Sequence, residues 1–171
     1  MDTLSHALWA LALCWWHPKR WWSLLVGALP DLLSFGILFI QRIVLGGFTP
    51  EKPDVASIPT YASTLYNTTH SFVTWALVFI IVWYVARTWA PLVIGAVAHI
   101  ALDIPTHSLA FFPTPFLWPL SSYKFDGISW ARQDVWGLNL LALATIFALI
   151  YIHERSKRTK SLKTKSVYAR R

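Results

Sequence analysis

Of 171 residues, 56% are hydrophobic and 13% charged, about half the roughly 25% charged content of a soluble domain, which excludes an ordinary water-soluble enzyme and points to one integral membrane domain. The formal charge of +7 is local: eight of the 15 basic residues lie in the acid-free stretch 155–171. It reads as a disordered cytoplasmic tail drawn to anionic headgroups, with no nucleic-acid partner expected.

In chain order the sequence predicts an all-α membrane bundle of about five hydrophobic segments, near residues 3–16, 21–42, 70–89, 91–112 and 133–153. The first is short for the roughly 20 residues that cross a bilayer. It lacks a preceding basic region and a small-residue cleavage site, so it is not expected to be a cleavable leader. Its single cysteine, Cys14, permits no internal disulfide. "WWHPKRWW" at 15–22 sets four tryptophans and two cations at one interface, with a proline suited to a tight turn. Segments one and two therefore form a helical hairpin. The loop 43–69 is rich in Pro, Gly, Ser and Thr and is expected to be irregular with a short helical turn. The loop 113–131 mixes proline with aromatic rings and suits the headgroup layer. Domain organisation follows as 1–153, membrane-embedded, and 154–171, the basic tail.

Eleven Lys and Arg fall on one side (Lys19, Arg20, Arg87 and the eight of the tail), against Arg42, Lys52, Lys124 and Arg132 on the other. The positive-inside rule then predicts an outer N-terminus and a cytoplasmic C-terminus in the cell membrane.

Within this apolar chain, "HIALDIPTHS" at 99–108 carries His99, Asp103 and His107 at steps of four. Such residues share one helical face. His99 and Asp103 are one turn apart, near enough to share a metal ion, whereas His99 and His107 lie about 12 Å apart along the axis. Asp103, between them, has two oxygens and can bridge two ions. Pro105 is expected to bend the last turn. At about 1.5 Å per residue, His6 and Asp31 each lie about 14 Å above the inner tryptophans. The hairpin sets them side by side. His70 opens the third segment from its outer end. The remaining histidines, His17 and His153, fall at the inner rim. Burying an ionised group unpaired is costly, and intramembrane ionisable residues mark functional sites. His6, Asp31, His70, His99, Asp103 and His107 are therefore candidate metal ligands. Imidazole and carboxylate without thiolate suit zinc, with manganese or iron as alternatives. Two ions would polarise a phosphoryl oxygen and activate water.

The succession "LSHALW", "GALPD", "THS" opening a helix, "AHIALD" and "LWPLSS" resembles the small bacterial membrane-bound metal-dependent hydrolases over roughly residues 4–125. Some of that family carry a LexA-binding label, which nothing in this sequence supports. The ligand order is similar to that of zinc-dependent phospholipase C and related single-strand nucleases. The resemblance implies that Asp31, His70, His99 and Asp103 hold one zinc and that His6 holds a second, with Asp103 as bridge and Asp31 and Asp103 as the catalytic carboxylates. In that superfamily the N-terminus also supplies a ligand, for which Asp2 is a substitute here. Where the family often has a His-Arg pair before "THS", this chain has Tyr66 and Asn67.

The expected activity is hydrolysis of a phosphoester in a lipid or lipid-linked substrate, at a site facing the outer side. Lys124, Arg132, Ser121 and Ser122 are candidates to steady the phosphate. A metal or proton transporter would need polar groups along a whole transmembrane path. The inner half of segments three and five offers few. A structural or adaptor protein, whose polar cluster only staples helices, predicts no metal. Oligomeric state is open.

Overall fold

The computed structural model describes residues 1–45 and 58–168, with side chains through 160. Among the described residues the secondary structure is entirely helical. Helix α1 spans Thr3–Leu13. Asp2 caps it, accepting from the Ser5 backbone N–H at 2.9 Å and the Ser5 hydroxyl at 2.6 Å. Asp2 is thereby spent on the helix end and is not the substitute ligand expected above. Turns at 14–21 reverse the chain into α2, Trp22–Val44, which runs unbroken through Pro30. Helix α3, Thr60–Thr69, is a full ten-residue helix where the sequence suggested only a short turn. Residues 46–57 of that loop, including Lys52, lie outside the described residues. After a 61° bend at His70–Ser71, α4 runs Phe72–Val85. The Ser71 side chain caps it, accepting from Val73 N–H at 3.1 Å and donating to the Trp118 carbonyl.

A 3-10 turn, Ala90–Val93, leads into α5, Ile94–Thr106. The fourth apolar segment was expected to extend to residue 112. It stops at His107, whose backbone is extended, because Pro105 in the last turn ends further propagation. Finally α6 runs Gln133–Tyr168 without interruption. The basic stretch after 153 is thus helical through Tyr168 rather than disordered. Lys, Arg, Leu and Ser continue a helix at little cost, and no Gly or Pro interrupts them.

Two helices, α2 and the Gln133–Lys160 part of α6, are long and apolar enough to cross a membrane, and the bent α3–α4 pair counts as a third if taken as one span. Only 6% of the apolar window in α6 is buried. That helix, like the outward faces of α2 and α4, presents exposed Leu, Ile, Val and Phe, as a lipid-facing surface does.

The helices meet through small residues. Helix α1 packs against α2, α5 and α6, and α2 against α5 and α3. A Cβ built on Gly27 would sit 2.5 Å from Ala10 Cβ and 2.7 Å from the His6 carbonyl. On Gly95 it would sit 2.8 Å from Ala10 Cβ. Close backbone approach of this kind is how helices associate where lipid removes the hydrophobic driving force. Beside it, Trp75, Val93, Ala96 and Ile100 form an apolar core covered by Val26, Leu29, Phe72, Val78 and Phe116.

Gly27→Val should lower the stability of the purified chain by about 1–3 kcal/mol, as overpacking does. Gly36→Val, where nothing lies within 4 Å, should leave it nearly unchanged. Thermal unfolding of both variants in one detergent tests this. Equal losses would mean that the Gly27–Ala10 contact does not hold the bundle together.

Candidate metal centre

Four helices deliver ionisable side chains to one buried point. His6 comes from the first turns of α1, Asp31 from the middle of α2, His70 from the α3–α4 break, and His99 and Asp103 from consecutive turns of α5. The break matters, because it frees His70 to enter from the side rather than along a continuous helix face.

Asp103 Oδ2 lies 3.2 Å from His99 Nε2 and 3.6 Å from His70 Nε2. Asp31 Oδ1 lies 3.4 Å from His70 Nε2 and 3.6 Å from His99 Nε2. The two Nε2 atoms are 3.2 Å apart. These are five of the six edges of a tetrahedron. A tetrahedral zinc site with ligands at about 2.0–2.1 Å has edges of about 3.3–3.4 Å. The five separations are of that order, and His70, His99 and Asp103 have mutual metal-ligand spacing, so the buried cluster could hold an ion.

The outer bonds of the two histidines fix their protons. His99 Nδ1 lies 2.7 Å from the Gly27 carbonyl, which can only accept, so Nδ1 carries the hydrogen. His70 Nδ1 lies 3.1 Å from Thr69 Oγ1, whose own proton points toward the Tyr66 carbonyl at 3.5 Å. Both Nε2 atoms then face inward, toward each other and toward two carboxylates. Asp31 is oriented in turn by Thr3, whose hydroxyl donates to Oδ2 at 2.6 Å. Tyr66 stacks on the His70 ring, centroids 3.9 Å apart, and its hydroxyl donates to the Phe112 carbonyl at 2.8 Å.

The second oxygen of Asp103 has its own surroundings. His6 Nε2 is 2.9 Å away, His107 Nδ1 3.3 Å, and the Met1 nitrogen donates to it. His6 stacks on His99 at 3.5 Å. Neither ring nitrogen of His6 completes a hydrogen bond, although the residue is buried. The short approach to Asp103 lies off the direction that a hydrogen bond needs. His6 is thus a buried imidazole with unsatisfied nitrogens, beside a carboxylate oxygen that Met1 and His107 also approach.

His107 stands differently. Its Nδ1 is also 3.2 Å from the Asp103 backbone carbonyl, so that nitrogen carries a proton and holds the carboxylate by hydrogen bonding. The groups with mutual metal-ligand spacing are His6, Asp31 and His99, and His70, His99 and Asp103. A backbone strap keeps His107 in place. Gly127 N–H donates to the His107 carbonyl at 2.8 Å, Ile128 N–H to that of Pro105 at 2.8 Å, and Trp130 N–H to that of Thr106 at 3.0 Å. Only glycine allows this approach, since a Cβ at 127 would meet the Pro105 carbonyl oxygen at 2.4 Å.

The candidate phosphate-steadying residues are not brought to this point. Arg132 is taken by Asp134 in a two-pronged pair at 2.6 and 3.1 Å, and the Ser121 hydroxyl accepts from Tyr123 N–H at 3.1 Å. Ser122 is exposed and Lys124 half-buried, and none of the contacts of these four reaches the carboxylates. Sequence reasoning had placed them by loop composition, which carries no information on direction. It also missed Thr3, Gly27, Thr69 and Gly127. Their roles rest on single backbone or hydroxyl contacts that the fold alone creates. The "THS" run was the one available signal, for Thr69.

The cluster is closed on most sides. The His6, His70, His99 and Asp103 side chains are at most 1% exposed, whereas Asp31 is 17% and His107 11% exposed. Asp31 and His107 are thus the members of the cluster that reach the surface. The chain matches no protein-family model, no curated protein and no solved structure.

Proposed function

We propose that the chain is a membrane-bound metal-dependent hydrolase, of the small bacterial membrane family that its motifs resemble, acting on a phosphoester of a lipid or lipid-linked substrate. The observation that carries this reading is the inward convergence of two histidine Nε2 atoms and two carboxylates in a buried space. Asp31, His70, His99 and Asp103 would hold one ion. His6 would hold a second, shared through Asp103. Zinc suits the set best, with manganese or iron as alternatives. A divalent pair bound there supplies Lewis-acid polarisation of a phosphoryl oxygen and activation of water.

The residues of the chain do the rest. Gly27, Thr69 and Thr3 hold His99, His70 and Asp31 in register. His107 steadies Asp103 and reaches the surface. The packed α1–α2–α5 contact keeps bulk water from the inward side. The depth of the site supports a lipid substrate. Asn139 of α6 donates to Ser5 at 2.8 Å and accepts from Trp9 at 2.8 Å, which ties that level of α6 to the start of α1. Asn139 lies five residues, about 8 Å, from charged Asp134 and fifteen residues, about 22 Å, from Glu154. This supports a reading in which the cluster lies near the Asp134 end of the span, and the balance of basic residues favours that end as the outer one, with the C-terminus in the cytoplasm. A phosphoester at headgroup level is within reach of a site so placed.

Asp103→Asn keeps the size and removes the shared charge. It should release up to two ions per chain and reduce hydrolysis of a lipid phosphoester or simple phosphodiester by more than the roughly 10–100-fold that loss of an outer partner produces. His107→Gln should retain more metal than Asp103→Asn. Metal content and turnover measured side by side in detergent decide this. Full occupancy in Asp103→Asn, or a larger loss in His107→Gln, would contradict the assignment.

Sidedness is tested separately. Cysteine at Ser122 should react with an impermeant thiol reagent in intact cells, and cysteine at Thr159 should react only after lysis. The reverse pattern would invert the topology.

A further inference from the structure

At the end of the bundle away from the metal centre, two turns lie side by side: residues 14–21, between α1 and α2, and residues 86–89, before the 3-10 turn. His17 locks them together. Its Nδ1 accepts from the Lys19 backbone N–H at 3.1 Å, so its Nε2 carries the proton and donates to the Thr88 carbonyl at 3.0 Å. This neutral, buried imidazole fixes the spacing of the cations on the two turns.

Those cations are held by aromatic rings rather than by acids. The Lys19 ammonium lies 3.9 Å above the Trp89 ring, and the Arg87 guanidinium lies 4.6 Å from the Trp83 ring centre. Arg20 lies 5.8 Å from that of Trp21 and donates to the Trp15 carbonyl at 3.2 Å. Trp22 meets Trp89 edge to face at 5.6 Å. Among the described residues none of the three cations pairs with a carboxylate in the way that Arg132 pairs with Asp134. A ring face takes one side of a cation and leaves its other N–H groups free. Trp21, Trp22 and Trp83 are exposed, so the charges sit between large apolar walls.

We propose that Lys19, Arg20 and Arg87 form a binding site for the phosphate of an anionic phospholipid, in the leaflet opposite the metal centre. The cations take the phosphodiester, and the exposed tryptophans take the glycerol backbone and the first methylenes of the acyl chains. The fixed turn pair distinguishes this site from the general attraction of a basic tail. The arrangement fits a lipid better than free phosphate, because exposed tryptophans flank the cations. The site serves retention and orientation in the bilayer and does not depend on the hydrolase reading.

The test uses the full chain in neutral detergent with equimolar phosphatidylglycerol and phosphatidylcholine, read by native mass spectrometry. The unaltered chain should keep phosphatidylglycerol preferentially. Lys19→Gln/Arg87→Gln should reduce that preference about thirtyfold, at about 1 kcal/mol for each interfacial cation and about 1.4 kcal/mol per factor of ten. Lys19→Arg/Arg87→Lys should restore it, and Lys163→Gln/Lys165→Gln in the tail should leave it intact. An unchanged preference in the Gln pair, or its loss in the tail pair, would overturn the site. Displacement of the lipid by millimolar inorganic phosphate would overturn the lipid assignment. Should the Gln pair fail to fold, the same comparison made with Arg87→Gln alone, expected to lose about fivefold, decides the matter.

Discussion

Two carboxylates buried beside two imidazole Nε2 atoms, at separations of 3.2–3.6 Å, need positive charge or donated protons among them, because water does not screen them there. The rest of the fold holds them there. The Gly27 backbone lies against α1 so closely that a side chain would not fit, and the same residue's carbonyl fixes the His99 proton. The bend before α4 turns His70 inward. The strap at 127–130 takes the carbonyls of 105–107, which is how the chain ends α5 beside the site without leaving buried backbone groups unpaired. Packing and chemistry therefore use the same residues, and a change at Gly27 reaches both.

The bundle is asymmetric about this point. The cluster end carries the buried carboxylates, while the far turns are positive and aromatic. The hydrolase proposed above would use such a division, with its site near the leaflet that presents the substrate and its opposite rim fixed at an interface. Helix α6 spans both, held at Asn139 beside the start of α1 and at His153 against Trp15, with ring centres 5.2 Å apart.

Much of this was legible from residue types and spacing. Strong hydrophobic periods located the helices, and the step of four from His99 to Asp103 placed both on one face. Counting rise from the tryptophans put His6 and Asp31 at a common depth. Ends and loops were harder. Helix α5 stops at Thr106 rather than 112 because Pro105 outweighs the apolar run that follows. The α3 helix forms in a stretch of Ser, Thr and Asn of weak local preference, where packing against α2 decides. The basic tail continues α6 because charge alone does not break a helix lacking Gly and Pro. Arg132 looked available for phosphate until Asp134, two residues on, was seen to hold it.

The central claim is that a cation belongs between Asp31, His70, His99 and Asp103. X-ray absorption on the chain purified without chelators and loaded with zinc tests it most directly. The account predicts a four-coordinate shell of nitrogen and oxygen at about 2.0–2.1 Å, imidazole scattering from at least two histidines and no sulfur. A chain that retains no zinc while folded, or a shell without imidazole, would contradict it.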